Sequence, residues 1–158
     1  MGKLVSLAQA QRIRTRLRAR GKAVVLTNGV FDILHVGHVR YLQAARKLGD
    51  VLFVGLNSNA SARALKGAGR PLTPQLERAE ILSALRHVDY VIIFDEPTAT
   101  HLVEALQPDV YAKGGDYGAG KPLPEADAVV SCGGRVVLLP YTPQHSTTRI
   151  VARIIGSE

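Results

Sequence analysis

Five apolar runs constrain this chain more than any other feature. They are KAVVLTNG at 22–29, VLFVGLN at 51–57, VDYVIIF at 88–94, DVYAKG at 109–114 and RVVLLPY at 135–141. Each is hydrophobic along its length, with no alternation of polar and apolar residues, so as a strand it has no face to give to water. Segments with helical signals separate them. Strands of this kind alternating with helices predict an α/β fold, a five-stranded parallel sheet with helices on both faces.

The helical signals are local. Ser6 with Gln9 forms a capping box opening a helix that ends near Gly21. Residues 36–48 read as a helix stopped by Gly49. Thr73 as N-cap and Pro74 at the first helical position start another, through about Arg86. Residues 98–106 and 125–132 read as helices, and Ser146 is placed to cap a last one beginning TTRIVARII. The polar, glycine-containing stretch SNASARALKGAGRPL, residues 58–72, reads as a loop.

At 158 residues the chain suits one domain, 1–158, with no internal repeat or low-complexity tract. No apolar run is long enough to span a membrane, and the basic start is not followed by the apolar segment of an export signal. The single cysteine, Cys132, allows no intrachain disulfide. A cytoplasmic protein without membrane partners is expected. The net charge of +7 is local: seven of the 20 Lys and Arg residues lie in the first 22, without an acid among them. Arginines spaced by two spread around a helix instead of making one stripe, and no aromatics are interleaved. Residues 1–22 therefore read as a basic helix whose Leu7, Ala10, Ile13 and Leu17 pack on the domain, not as a nucleic-acid surface.

A parallel sheet binds ligands beyond the carboxyl ends of its strands, where strand order reverses. The helix after the first run begins at His35 and His38, and the last helix begins at Ser146, Thr147 and Thr148. Two helix N-termini at one rim would offer free N–H groups and positive dipole ends to a single anion, above all a phosphate. His35 and His38, three apart, can share a face, and Gly37 lets a ligand approach the backbone. Lys66 and Arg70 could bring positive charge over the top. A metal site is disfavoured, because no third ligand accompanies the two histidines. No P-loop, dinucleotide fingerprint or nucleophile–base pair is present, so the chemistry expected is phosphoryl-group transfer by positioning and charge neutralisation.

These residues resemble a known family. HVGH at 35–38 after GVFD, RHVDYVI at 86–92 and STTRI at 146–150 are similar to the recurring segments of the HxGH nucleotidyltransferase superfamily, along essentially the whole chain. LNSNAS at 56–61, LKGAGRPL at 65–72, ERAEILSAL at 77–85 and KGGDY at 113–117 look most like the adenylyltransferase domain of ADP-heptose synthases. The resemblance implies a Rossmann-like doubly wound sheet and transfer of AMP from ATP to D-glycero-β-D-manno-heptose 1-phosphate, with pyrophosphate released. It implies Mg2+ accompanying the triphosphate, a sugar kinase on another chain, and a homodimer. By the same resemblance His35, His38 and Lys66 are catalytic. Asn28, Gly29, Phe31, Asp32, Gly37, Arg86, Lys113, Gly115, Asp116, Ser146, Thr147 and Thr148 hold the nucleotide, and Asn57, Asn59 and Arg70 the acceptor.

Two departures bear on specificity. Glycerol-phosphate cytidylyltransferases carry R-T-E-G-I-S-T-T where this chain reads YTPQHSTT, without that arginine. Asn59 stands where relatives of the heptose type have an acid, in N-S-D-A-S. The alternatives are cytidylyl transfer to glycerol 3-phosphate, adenylyl transfer to FMN, or a nucleotide- or nucleic-acid-binding regulator on the same fold.

Overall fold

In the computed structural model, which describes residues 2–114, 122–140 and 147–156, the apolar runs form one parallel sheet. Its strands are β1 (Lys3–Leu4), β2 (Val24–Gly29), β3 (Val51–Asn57), β4 (Tyr90–Phe94), β5 (Val110–Gly114) and β6 (Arg135–Leu139). The order is β1-β4-β3-β2-β5-β6, with every recorded pairing parallel. The chain walks outward from β2 through β3 to β4, then returns to place β5 and β6 on the other side of β2. The strand order therefore reverses beside β2, and a crevice opens between the carboxyl ends of β2 and β5.

The sheet has six strands, one more than the five expected. The extra strand is β1, two residues paired with Tyr90 and Val91. It is too short and too exposed to leave an apolar signature. Gly2 and Val5 anchor its ends, through Gly2 N–H to Ser83 O at 2.7 Å and Val5 N–H to Val91 O at 3.0 Å.

Helices α1 (Leu7–Ala19), α2 (Val36–Arg46), α3 (Asn59–Lys66), α4 (Gln75–Ala84), α5 (Thr100–Leu106), α6 (Ala126–Ser131) and α7 (Thr147–Ile154) connect and follow the strands. The capping box forms as expected: Ser6 N–H reaches Gln9 Oε1 at 2.8 Å, and Gln9 N–H reaches Ser6 Oγ at 3.2 Å. Two expectations are corrected. Residues 58–72 hold α3 in place of a continuous loop, because Ser58 caps an alanine-rich turn by accepting from Ser61 N–H. Helix α4 starts one residue later than expected, with Pro74 at the N-cap. There the capping oxygen comes from Asn59, whose Oδ1 accepts from Gln75 N–H at 2.8 Å while Gln75 Oε1 accepts from Asn59 N–H at 2.7 Å.

Two apolar layers sandwich the sheet. One joins Leu42 and Ala45 of α2 and Ala79 and Leu82 of α4 to Val25, Leu52, Val54 and Val91. The other joins Ala10 of α1, Leu102, Val103 and Leu106 of α5 and Val129 of α6 to Leu26, Phe53, Ile92 and Tyr111. Leu7, Ile13 and Leu17 pack against this second layer, as the N-terminal stripe predicts. At the amino edge, three aspartates close strand starts: Asp50, Asp89 and Asp109 accept from Ala23, Leu52 and Val24 N–H at 2.7–2.8 Å. Each also pairs with a cation, Lys22, Arg46 and Arg14 respectively. Arg14 is thus buried structure, unlike its exposed neighbours Arg12 and Arg16. No described helix is long and apolar enough to cross a membrane.

Candidate active site

The carboxyl edge of the sheet holds a cavity of about 580 Å³, a volume suited to a small-molecule ligand. Strand β2 enters its floor with Asn28 and Gly29, and β5 adds Lys113. Asn28 Oδ1 accepts from Tyr111 Oη and Lys113 Nζ, each at 2.6 Å. The floor on either side of the reversal point is therefore cross-linked. Burial lowers the Lys113 pKa, and the negative charge of Glu125 pulls it back up.

After β2 the backbone turns sharply. Phe31 lies at φ 48°, a left-handed conformation that costs a non-glycine residue about 1–2 kcal/mol. Its ring lies back over Gly29, where a Cβ would sit 2.9 Å from Phe31 Cε2. The glycine leaves room for this turn. The same ring meets His38 edge-on, centroids 5.3 Å apart.

Helix α2 starts at the cavity. His35 is its N-cap residue, in extended conformation, and its ring stacks on His38 with centroids 3.9 Å apart. His38 lines the cavity. Burial, with His35 alongside, pushes its pKa down to about 4, so its imidazole is neutral at pH 7. A neutral ring offers one N–H donor without paying to desolvate a charge. His38 Nδ1 is buried with no hydrogen-bond partner among the described residues. Gly37 is buried within α2. Tyr41, one turn further on, fastens this helix to the sheet, with its hydroxyl 2.6 Å from Thr27 Oγ1 and donating to Ala112 O at 3.0 Å.

Thr147 and Thr148, the first two residues of α7, line the same cavity as His38. Thr147 Oγ1 reaches back to Ile33 O at 3.3 Å. The N-termini of α2 and α7 thus converge on one space. Ser146, Gly115 and Asp116 lie outside the described residues.

The far rim carries the cations. Lys66, exposed at the end of α3, and Arg70 both line the cavity, and Gly67 between them takes φ 92° to turn the chain. Asp32 holds Arg70 at 2.7 Å and accepts from Leu72 and Thr73 N–H at 2.7 and 3.0 Å. Burial opposes ionisation of Asp32, but these hydrogen bonds and the Arg70 charge together hold its pKa below the ordinary 3.8. Asp32 organises the rim. Asn57 lines the cavity too, though its amide donates to Ser61 Oγ at 2.9 Å.

Of the expected contacts, His35 and Gly37 do not themselves line the cavity, and Arg86 and Asn59 are placed elsewhere. Arg86 is exposed in the turn between α4 and β4, at the amino edge of the sheet and away from the cavity. The segment around it is structural: Val88 is core, and Asp89 closes β3. Asn59 does not line the cavity, because its Oδ1 is taken by Gln75 N–H and Arg78.

Arg78 and Glu125 gain their places only through the fold. Arg78, 1% exposed, donates to Thr73 O, Val30 O and Asn57 O at 2.6–2.8 Å and to Asn59 Oδ1 at 3.0 Å. It ties the turn after β2 to the end of β3 and the start of α4. Its position within ERAEILSAL marked it as a helix residue only, since its partners are as many as 48 positions away. Glu125, 3% exposed, lines the cavity between Pro124 and Thr98.

Residues 26–153 match the family model described as cytidylyltransferase-like. The chain belongs to the cytidylyltransferase-like family. It is similar to proteins named bifunctional protein HldE. The HldE of Geotalea uraniireducens is 56% identical over 137 residues, 87% of this chain and 28% of that protein. That of Syntrophotalea carbinolica is 55% identical over 138 residues, with the same coverage. That of Wolinella succinogenes is 48% identical over 155 residues, 98% of this chain and 32% of that protein. This cytidylyltransferase-like chain thus spans less than a third of these curated relatives. Among solved structures it resembles a lipopolysaccharide core biosynthesis protein from Thermoplasma volcanium, at TM-score 0.63 and 30% identity over 77% of this chain and 98% of that one. A pantoate-beta-alanine ligase from Francisella tularensis shares the fold at TM-score 0.64 and 14% identity, over 91% of this chain and 69% of that one.

Proposed function

We propose that this chain transfers AMP from ATP to D-glycero-β-D-manno-heptose 1-phosphate, yielding ADP-heptose and pyrophosphate. The observation that carries the reading is the convergence of the α2 and α7 N-termini, with a neutral His38, on a cavity at the strand reversal. Helix N-termini hold phosphates through backbone N–H groups. The high identity to HldE proteins supports the acceptor assignment.

In this mechanism a sugar-phosphate oxygen, already ionised near neutral pH, attacks the α-phosphorus of ATP in line. The new P–O bond forms as the bond to the bridging oxygen of the β-phosphate breaks, and pyrophosphate leaves with that electron pair. No general base is needed. His38 donates to the α-phosphate as charge accumulates on its oxygens, with His35 stacked behind it, and Thr147 and Thr148 hold the β- and γ-phosphates. Lys66 and Arg70 offset negative charge from above. Asp32, the carboxylate at the cationic rim, is committed to Arg70 and to the Leu72 and Thr73 N–H groups, so Mg2+ would be held by the triphosphate oxygens. The ion supplies charge neutralisation of the triphosphate. The same reading carries a homodimer, a cytoplasmic setting, no membrane or nucleic-acid partner, and a sugar kinase that supplies the 1-phosphate.

The test is pyrophosphate release with Mg2+, crossing ATP and CTP against heptose 1-phosphate, glycerol 3-phosphate and FMN. Turnover with ATP and the heptose phosphate alone is expected. Turnover with another pair would overturn the substrates and keep the reaction. Silence across all pairs, with salt-sensitive binding to DNA or RNA, would favour a regulator instead.

A further inference from the structure

The two walls of the cavity differ in chemistry. His38, Thr147 and Thr148 present donors on one side, from α2 and the N-terminus of α7. The opposite wall belongs to the layer of α5 and α6 and presents Thr98, Pro124 and Glu125. Glu125 is a built feature of that wall. Its Oε1 is fixed by Ala99 N–H at 2.9 Å, while its Oε2 is buried with no hydrogen-bond partner among the described residues. A buried carboxylate oxygen left without a donor is destabilising, and a ligand donor would relieve that penalty. Lys113, between the walls, lies close enough for its ionisation to respond to the Glu125 charge.

A carboxylate repels phosphate, so this wall is not where the triphosphate lies. A single carboxylate makes a poor cation cage, and no cluster of metal ligands surrounds it among the described residues. What suits it is a hydroxyl donor. We propose that Glu125 is a specificity-determining residue that binds the acceptor, its Oε2 accepting a hydrogen bond from a sugar hydroxyl. The inference rests on the reading of the acceptor as a sugar phosphate. It explains how a cavity rich in phosphate donors distinguishes a polyhydroxylated acceptor from a bare phosphate: phosphate binds one wall, and hydroxyl groups satisfy the other.

The test is titration calorimetry of heptose 1-phosphate into protein holding Mg2+ and an ATP analogue with a methylene between the α- and β-phosphorus. Glu125→Gln keeps the shape and the acceptor for Ala99 N–H but removes the charge and turns a donor toward the cavity. Its affinity for the heptose phosphate is expected to fall ~10-fold or more, as for loss of a charge-assisted hydrogen bond, while its affinity for the analogue stays within about threefold. Unchanged acceptor affinity would overturn the inference and leave the proposed reaction standing. Weakened analogue binding would also overturn it, by placing Glu125 against the nucleotide. Failure of the unaltered protein to bind heptose phosphate would remove the acceptor reading and this inference together.

Discussion

His38 is both packed against its neighbours and placed on the cavity wall. Its ring meets Phe31 edge-on and stacks on His35, and this partial burial favours its neutral form. Folding lowers its pKa from 6.5 to about 4, so between these values the unfolded chain binds more protons than the native one. Stability from this group is therefore fully present above pH 6.5 and is lost as the pH falls towards 4, by up to about 3 kcal/mol. Urea titrations at pH 7.5 and 4.5 should show this loss, and His38→Gln should lose less over the same interval. An equal loss in both proteins would mean that His38 does not titrate as its burial implies. The meeting of Gly29, Phe31 and His38 at one turn was legible because they lie within one short segment. Arg78 and Glu125 were not, because their roles depend on residues brought together only by the fold.

The elements show where local chemistry is enough and where it is not. The capping box of α1 and the apolar bodies of β2 to β6 can be read directly, since each is a pattern over a few adjacent residues. Helix α3 was hidden because glycines at 67 and 69 dominate the reading of its neighbourhood, although Ser58 and the alanines beside it specify a helix. Strand β1 was hidden because two backbone pairings need no side-chain pattern. Helix α2 matters most for the site, and its position depends on Tyr41. Tyr41→Phe removes bonds to Thr27 and Ala112 and should cost about 1 kcal/mol of stability. The freed start of α2 should also lower kcat several-fold, with little change in KM for ATP. Unfolding curves and steady-state kinetics on the same variant would check both, and wild-type values would rule out this role.

Across the fold, the cavity and the contacts that close the strand starts lie at opposite edges of the sheet. The carboxyl edge carries the cavity, and the amino edge carries the Asp50, Asp89 and Asp109 closures. The basic N-terminus is itself divided. Arg14 is buried against Leu106 O, Gln107 O and Asp109, so Arg14→Gln should destabilise the chain by about 2–4 kcal/mol. Arg12→Gln and Arg16→Gln should stay within about 0.5 kcal/mol. Thermal unfolding of the three variants separates a docked helix from a purely electrostatic surface, for which all three would behave alike. In the proposed reaction two helix starts and His38 hold a triphosphate while its α-phosphorus is attacked. The most direct measurement is steady-state pyrophosphate release by His38→Ala with ATP, Mg2+ and heptose 1-phosphate. A fall in kcat of about 100-fold or more, with KM for ATP within a few-fold, is the result predicted for a group acting in the transition state; near-normal turnover would contradict it.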